Sequence, residues 1–95
     1  FDKKLYKEAT EKYQAVVGIN PNEPDANYNL TLCLMEQGEP DKALEPILRA
    51  LGKSRRWGDA WKTLGRILLE LERYEEAEEA LCQAIQSSSG NKIKL

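Results

Sequence analysis

DAWKTLGRILLELERYEEAEEALCQAI, residues Asp59–Ile85, carries a spacing of small and large apolar residues that recurs one period earlier, over Asp25–Leu51. At an offset of 34 residues Ala26 aligns with Ala60, Leu30 with Leu64, Leu34 with Leu68, Ala43 with Ala77, Ile47 with Leu81, Ala50 with Ala84 and Leu51 with Ile85. A further step back sets Tyr6, Ala9, Tyr13, Val16 and Val17 under Pro40, Ala43, Ile47, Ala50 and Leu51, with no slip of register. Self-similarity at a fixed period of this size marks a stacked array, in which each unit leaves an apolar face for its neighbour to cover.

Within each unit the apolar positions fall three and four apart, which is one face of a helix. The spacing predicts helices over Asp2–Gly18, Asp25–Gln37, Pro40–Leu51, Asp59–Leu71 and Tyr74–Gln86. Gly18, Gly38 and Gly52 are read as closing residues, because glycine adopts the left-handed conformation that ends a helix. Pro24 and Pro40 suit a first turn, where a missing amide hydrogen is not needed, and Asp59 is a good N-cap. Pro46 falls inside the third helix and predicts a bend over Lys42–Pro46; tolerance on a convex outer face and a functional hinge are the two readings. Trp57, beside Arg55 and Arg56 in the predicted loop Lys53–Gly58, either folds back onto the helix ends or meets an acidic or aromatic partner. The four glutamates within Tyr74–Ala80 read as a solvated face, and Ser87–Asn91 as a loop. Ala9, Ala26, Ala43, Ala60, Gly65, Ala77 and Ala84 supply the small side chains that let helix backbones cross closely.

The second full unit resembles the tetratricopeptide repeat, with Trp61, Leu64, Gly65 and Leu68 on a first helix and Tyr74, Ala77, Leu81 and Ala84 on a second. The preceding unit is looser: Asn27 stands where Trp is usual, Thr31 for Gly and Pro40 for the aromatic, while Leu30, Gly38, Ala43 and Ala50 fit. Tyr6, Ala9 and Tyr13, followed by Pro21, match a second helix alone. The resemblance implies an all-α fold, a right-handed superhelix of helix-turn-helix units with about five helices. Its divisions are residues 1–23 as the second helix of a truncated repeat with its linker, 24–57 and 58–91 as repeats, and 92–95 as a tail or the start of a capping helix. On this reading the chain is a fragment of a longer protein.

Composition narrows the function. A chain of 95 residues is one small domain at most. Its net charge of −2, with both signs interspersed, supplies no field for nucleic acid and no basic block for a membrane surface. No apolar run approaches the roughly 20 residues needed to span a bilayer. Cys33 and Cys82 are too few for a disulfide framework, which points to a reducing compartment and a cytoplasmic location. Histidine is absent, which removes the commonest metal ligand and the commonest general acid or base. With no phosphate-cradling glycine loop and no ligand-spaced cysteines, neither an enzyme nor a cofactor- or metal-binding protein is expected.

The expected role is a protein interaction module, an adaptor or scaffold segment. In the tetratricopeptide family the first helices of successive units line a concave wall on which partner peptides lie. The helical wheel places Asp25, Tyr28, Asn29, Leu32, Met35 and Glu36 on that side of the first complete helix, and Asp59, Lys62, Thr63, Arg66, Leu69 and Glu70 on that side of the next. The candidate peptide-binding residues are Tyr28, Asn29, Leu32, Met35, Lys62, Thr63, Arg66 and Leu69. An apolar strip beside two cations suits an extended peptide or helix presenting a large apolar side chain and a carboxylate. Packing of Leu32 and Met35 on a neighbouring helix, with solvated cations, is the competing reading. The clamp that grips chaperone C-termini within this family is not matched: Asn29 fits its middle position, but Asp59 and Thr63 stand where cations are required. Self-association through exposed terminal helices, giving a homo-oligomer, is the alternative function.

Overall fold

The computed structural model describes residues 3–54 and 56–89, and every regular element among them is an α-helix. In chain order these are α1 (Lys3–Ile19), α2 (Pro24–Glu36), α3 (Pro40–Lys53), α4 (Gly58–Glu70) and α5 (Tyr74–Ser89). Each helix packs on its neighbour in sequence, α1 on α2, α2 on α3, α3 on α4 and α4 on α5. The connections are only a few residues long, so consecutive helices run antiparallel.

The helix starts follow the expected chemistry in part. Glu23 accepts a hydrogen bond from the Asp25 amide at 3.2 Å, and Pro24 occupies the first turn of α2. Pro40 does the same for α3. Asp59 is not the cap of α4: the helix begins at Gly58, with Trp57 in the capping position and no side-chain bond there. Two expected closing glycines are also helical. Gly18 lies within α1, and Gly52 within α3, which runs to Lys53 before the Ser54 amide bonds the Ala50 carbonyl at 3.0 Å. Propagation adds one backbone bond per residue, so a helix already formed runs through a glycine at a cost of about 1 kcal/mol. α5 likewise runs through Ser87 to Ser89, where the sequence predicts a loop. The expectations for Arg55 and for Lys92–Leu95 fall outside the described residues.

The two complete helix pairs close on the same turn. Gly38, at φ 74°, donates to the Met35 carbonyl at 3.0 Å, and the next amide, Glu39, reaches the Leu34 carbonyl at 3.0 Å. One period later Glu72, at φ 61°, donates to Leu69 at 3.0 Å and Arg73 to Leu68 at 2.8 Å. The left-handed residue is therefore glycine in one repeat and glutamate in the other.

The core is the small-and-large stripe read from the sequence. Ala43, Ile47, Ala60, Ile67 and Ala77 have no exposed surface, and Leu30, Leu34, Leu64 and Leu68 are buried with them. Ala9 is only half-buried. A Cβ built on Gly65 would stand 2.7 Å from Leu81 Cδ2, so that crossing accepts no side chain on α4 as the residues now lie. The preceding unit seats Thr31 at the equivalent position, fully buried, its hydroxyl donating to the Asn27 carbonyl at 2.8 Å. Asn27, also fully buried, donates through Nδ2 to the carbonyls of Pro21 (3.0 Å) and Glu23 (2.8 Å), which ties the α1–α2 connection to α2. Its Oδ1 is buried without a partner. Pro46 is buried against the core side of α3, not on an outer convex face.

Candidate functional site

An apolar cleft of about 490 Å³ opens between α1 and α2. From α1 it takes Leu5, Tyr6, Ala9 and Tyr13, and from α2 Asn29, Leu32, Cys33 and Glu36. The three-and-four spacing on each helix turns one strip of α1 toward one strip of α2. Leu5 is 62% exposed and Leu32 36%, so the cleft presents apolar surface to solvent.

Polar bonds at its back fix the two helices. The Gln37 side-chain amide donates to Thr10 Oγ1 at 2.6 Å and to the Cys33 carbonyl at 3.0 Å, and Thr10 donates to the Tyr6 carbonyl at 2.8 Å. Burial pushes the Cys33 thiol above its ordinary value; Thr10 acts against this and the Glu36 carboxylate adds to it. Desolvation likewise raises the Tyr6 phenol, with Glu36 and Cys33 contributing. Both groups are therefore neutral at pH 7, and among the described residues Glu36 is the one carboxylate in the cleft wall. Such a surface receives an apolar side chain and offers few polar contacts for orientation.

The residues predicted for the concave wall separate into three groups. Asn29 and Leu32 line this cleft. Met35 is a correction: it is only 8% exposed and belongs to the core cluster, because α2 is covered on more than one side and the helical wheel of a single helix cannot show that. Tyr28 is half-buried, its ring 4.4 Å from that of Trp57 at 36°. That contact gives Trp57 the fold-back reading and makes Tyr28 part of the packing beside the start of α4. Lys62, Thr63, Arg66 and Leu69 on α4 stand outside the cleft. Lys62 is exposed and makes no ion pair among the described residues, whereas Arg66 Nε lies 3.8 Å from Glu70 Oε2. Thr63 donates to the Asp59 carbonyl at 2.9 Å, and Leu69 is 45% exposed. Glu36 stands on the side of α2 that the helical wheel assigns to the concave wall, whereas Cys33, which follows Asn29 at helical spacing, is not among the residues the sequence singles out for it.

Among protein families, the one described as anaphase-promoting complex, cyclosome, subunit 3 matches residues 2–84. Among solved structures, the crystal structure of MamA superposes with a TM-score of 0.82 at 23% identity, covering 88% of this chain and 49% of that one. A second MamA structure, MSR-1 C2, gives 0.83 at 22% identity over 92% of this chain and 49% of that one. The chain thus spans about half the length of these two structures. At such identity the likeness speaks for the fold. No curated protein matches.

Proposed function

Because the chain belongs to the family of anaphase-promoting complex, cyclosome, subunit 3, and is a tetratricopeptide-repeat superhelix, we propose that it is an adaptor or scaffold segment that holds a partner peptide or helix. The fold is that of a protein interaction module, and the family's description as a subunit of a complex accords with a place inside an assembly. The observation that carries the reading is the open apolar cleft between α1 and α2, which contains Asn29 and Leu32. In this proposal a large apolar side chain of the partner enters beside Leu32, and Lys62 and Arg66 on α4 take a carboxylate further along, with Tyr28, Thr63 and Leu69 flanking the path. The repeats run over residues 24–57 and 58–91, the role is non-catalytic, and the site of action is the cytoplasm. No described helix is long and apolar enough to cross a membrane.

Peptide-library selection against the full chain tests this. Selected peptides carrying a large apolar residue and a carboxylate are expected to bind at least ~10-fold more weakly to Leu32→Glu and to the Lys62→Glu, Arg66→Glu pair, as for anchors at the centre of an interface. Equal affinity for all three proteins overturns the groove.

Self-association is the second reading. Tyr74 and Ile85 on α5 are 61% and 59% exposed, whereas Leu51, the counterpart of Ile85 one period earlier, is 5% exposed. A molecular mass that rises with concentration supports it, and a constant monomer mass over a dilution series excludes it.

A further inference from the structure

A second apolar trough lies on another side of the molecule, where α4 forms a floor between α3 and α5. Two adjoining cavities, of about 280 and 360 Å³, share Leu48, Trp61 and Gln83 in their walls. Trp61, half-buried, and the buried Leu64 and Leu68 make the floor, and Leu44 and Leu48 the α3 wall, with Leu48 50% exposed. None of these residues lines the α1–α2 cleft.

The two walls differ in charge. The α3 wall is aliphatic, with Leu44, Leu48 and Leu51 and no charged side chain among the described lining residues. The other wall takes Arg73, Glu76 and Glu79 as its charged residues. Arg73 is held by Glu76 through two bonds of 2.8 and 2.6 Å. Glu79, which lines the trough, makes no ion pair among the described residues. An apolar floor with one unpaired carboxylate, Glu79, on its rim matches a segment that is apolar on one side and basic on the other, and disfavours an acidic one.

We propose that this trough is a second docking surface, for a basic amphipathic segment of another protein: a large aliphatic side chain enters between Leu48 and Trp61, and a Lys or Arg meets Glu79. The two surfaces then select opposite charges, a carboxylate beside Lys62 and Arg66 and a cation here. One chain has the means to hold two different segments at once.

The full chain, labelled with ¹⁵N, is titrated with a synthetic Leu/Lys amphipathic peptide, with a scrambled peptide of the same composition, and with the version carrying Glu for Lys. The Trp61 indole and the Leu48 and Gln83 amides are expected to shift, while the Trp57 indole, packed on Tyr28, stays still. Leu48→Glu and Glu79→Lys, both at exposed positions, are expected to keep the helical circular dichroism and to weaken binding about tenfold each. Equal binding of the scrambled or acidic peptide, or binding undiminished by Leu48→Glu, overturns the proposal as mere adsorption to the glutamates. Shifts confined to the α1–α2 cleft overturn it too, as does a dimer mass that Leu48→Glu returns to monomer, which would make a second copy the occupant. Loss of binding at Leu32→Glu bears only on the first surface.

Discussion

Leu81 of α5 occupies the space that a side chain on Gly65 of α4 would need, with its Cδ2 and Cγ 2.7 and 2.8 Å from the Cβ position. The obstacle is a side chain, and Leu81 is only half-buried, so it is able to swing aside at a cost. Gly65→Ala gains up to about 1 kcal/mol of helix propensity and loses about 1–3 kcal/mol to overpacking, which leaves a net destabilisation. In the Gly65→Ala, Leu81→Ala double variant the clash disappears. Chemical denaturation of the four proteins is expected to show a coupling of about 1 kcal/mol, and additive effects would contradict the contact.

Ala77 has no exposed surface where α5 meets α4, while the adjacent Glu78 is in solvent. Ala77→Leu inserts three carbon atoms into a closed crossing and is expected to cost about 1–3 kcal/mol or more. Glu78→Ala is expected to stay within about 0.5 kcal/mol. Equal melting temperatures for the two would contradict the assigned stripe.

Glu72 holds a left-handed conformation at φ 61° in the turn where the previous repeat has Gly38. A non-glycine residue there costs about 1–2 kcal/mol, against the greater chain entropy that glycine loses on folding. Glu72→Gly is therefore expected to raise stability by about 0.5–1 kcal/mol, and Gly38→Ala to lower it by a similar amount. Thermal melts of both variants decide the sign.

Arg73 bonds hold the Glu76 carboxyl below its ordinary value, and the same bonds raise Arg73. A carboxyl whose folded value is depressed binds fewer protons in the native than in the unfolded state. Its contribution is thus complete above the unfolded value and fades as pH falls through the folded one. Both side chains are exposed, so the effect is small and screened by salt. Glu76→Gln is expected to flatten the acid limb of stability against pH and to leave its shape near neutrality unchanged.

Cys33 is 8% exposed and its thiol is raised by burial, whereas Cys82 is exposed on α5. The thiolate is the reactive form, so a charged thiol reagent is expected to modify Cys82 promptly and Cys33 only on unfolding. Mass spectrometry of a time course reads this directly. Two rapid equivalents on the native protein would show that α1 and α2 part readily.

The 34-residue offset made the helix pairing and the alanine stripe legible, because side-chain volume at a crossing is written in residue type. Gly38 was legible as a turn for the same reason. Glu72 was not, since glutamate carries no preference for the left-handed region and takes it only because the flanking helices impose it. Gly18 and Gly52 misled in the opposite sense: a residue that permits a turn does not compel one. Met35 shows the limit for the site. One wheel separates a packed face from an open one, but a helix within a stack is covered from several directions, and only the assembled neighbours reveal which. Lys62 and Arg66 are exposed, but the contact of Arg66 with Glu70 is a side-chain arrangement that residue type alone does not reveal.

Gln37 stands just beyond α2 yet reaches Thr10, halfway along α1, and the Cys33 carbonyl behind it. Apolar contact alone would let one helix slide a turn past another at little expense, since one aliphatic neighbour resembles the next. A directional bond has no such tolerance, and a one-turn slip would break the Gln37–Thr10 bond. The cleft beside it is accordingly held at a set width, and the partner segment proposed above would not have to spend affinity on closing it.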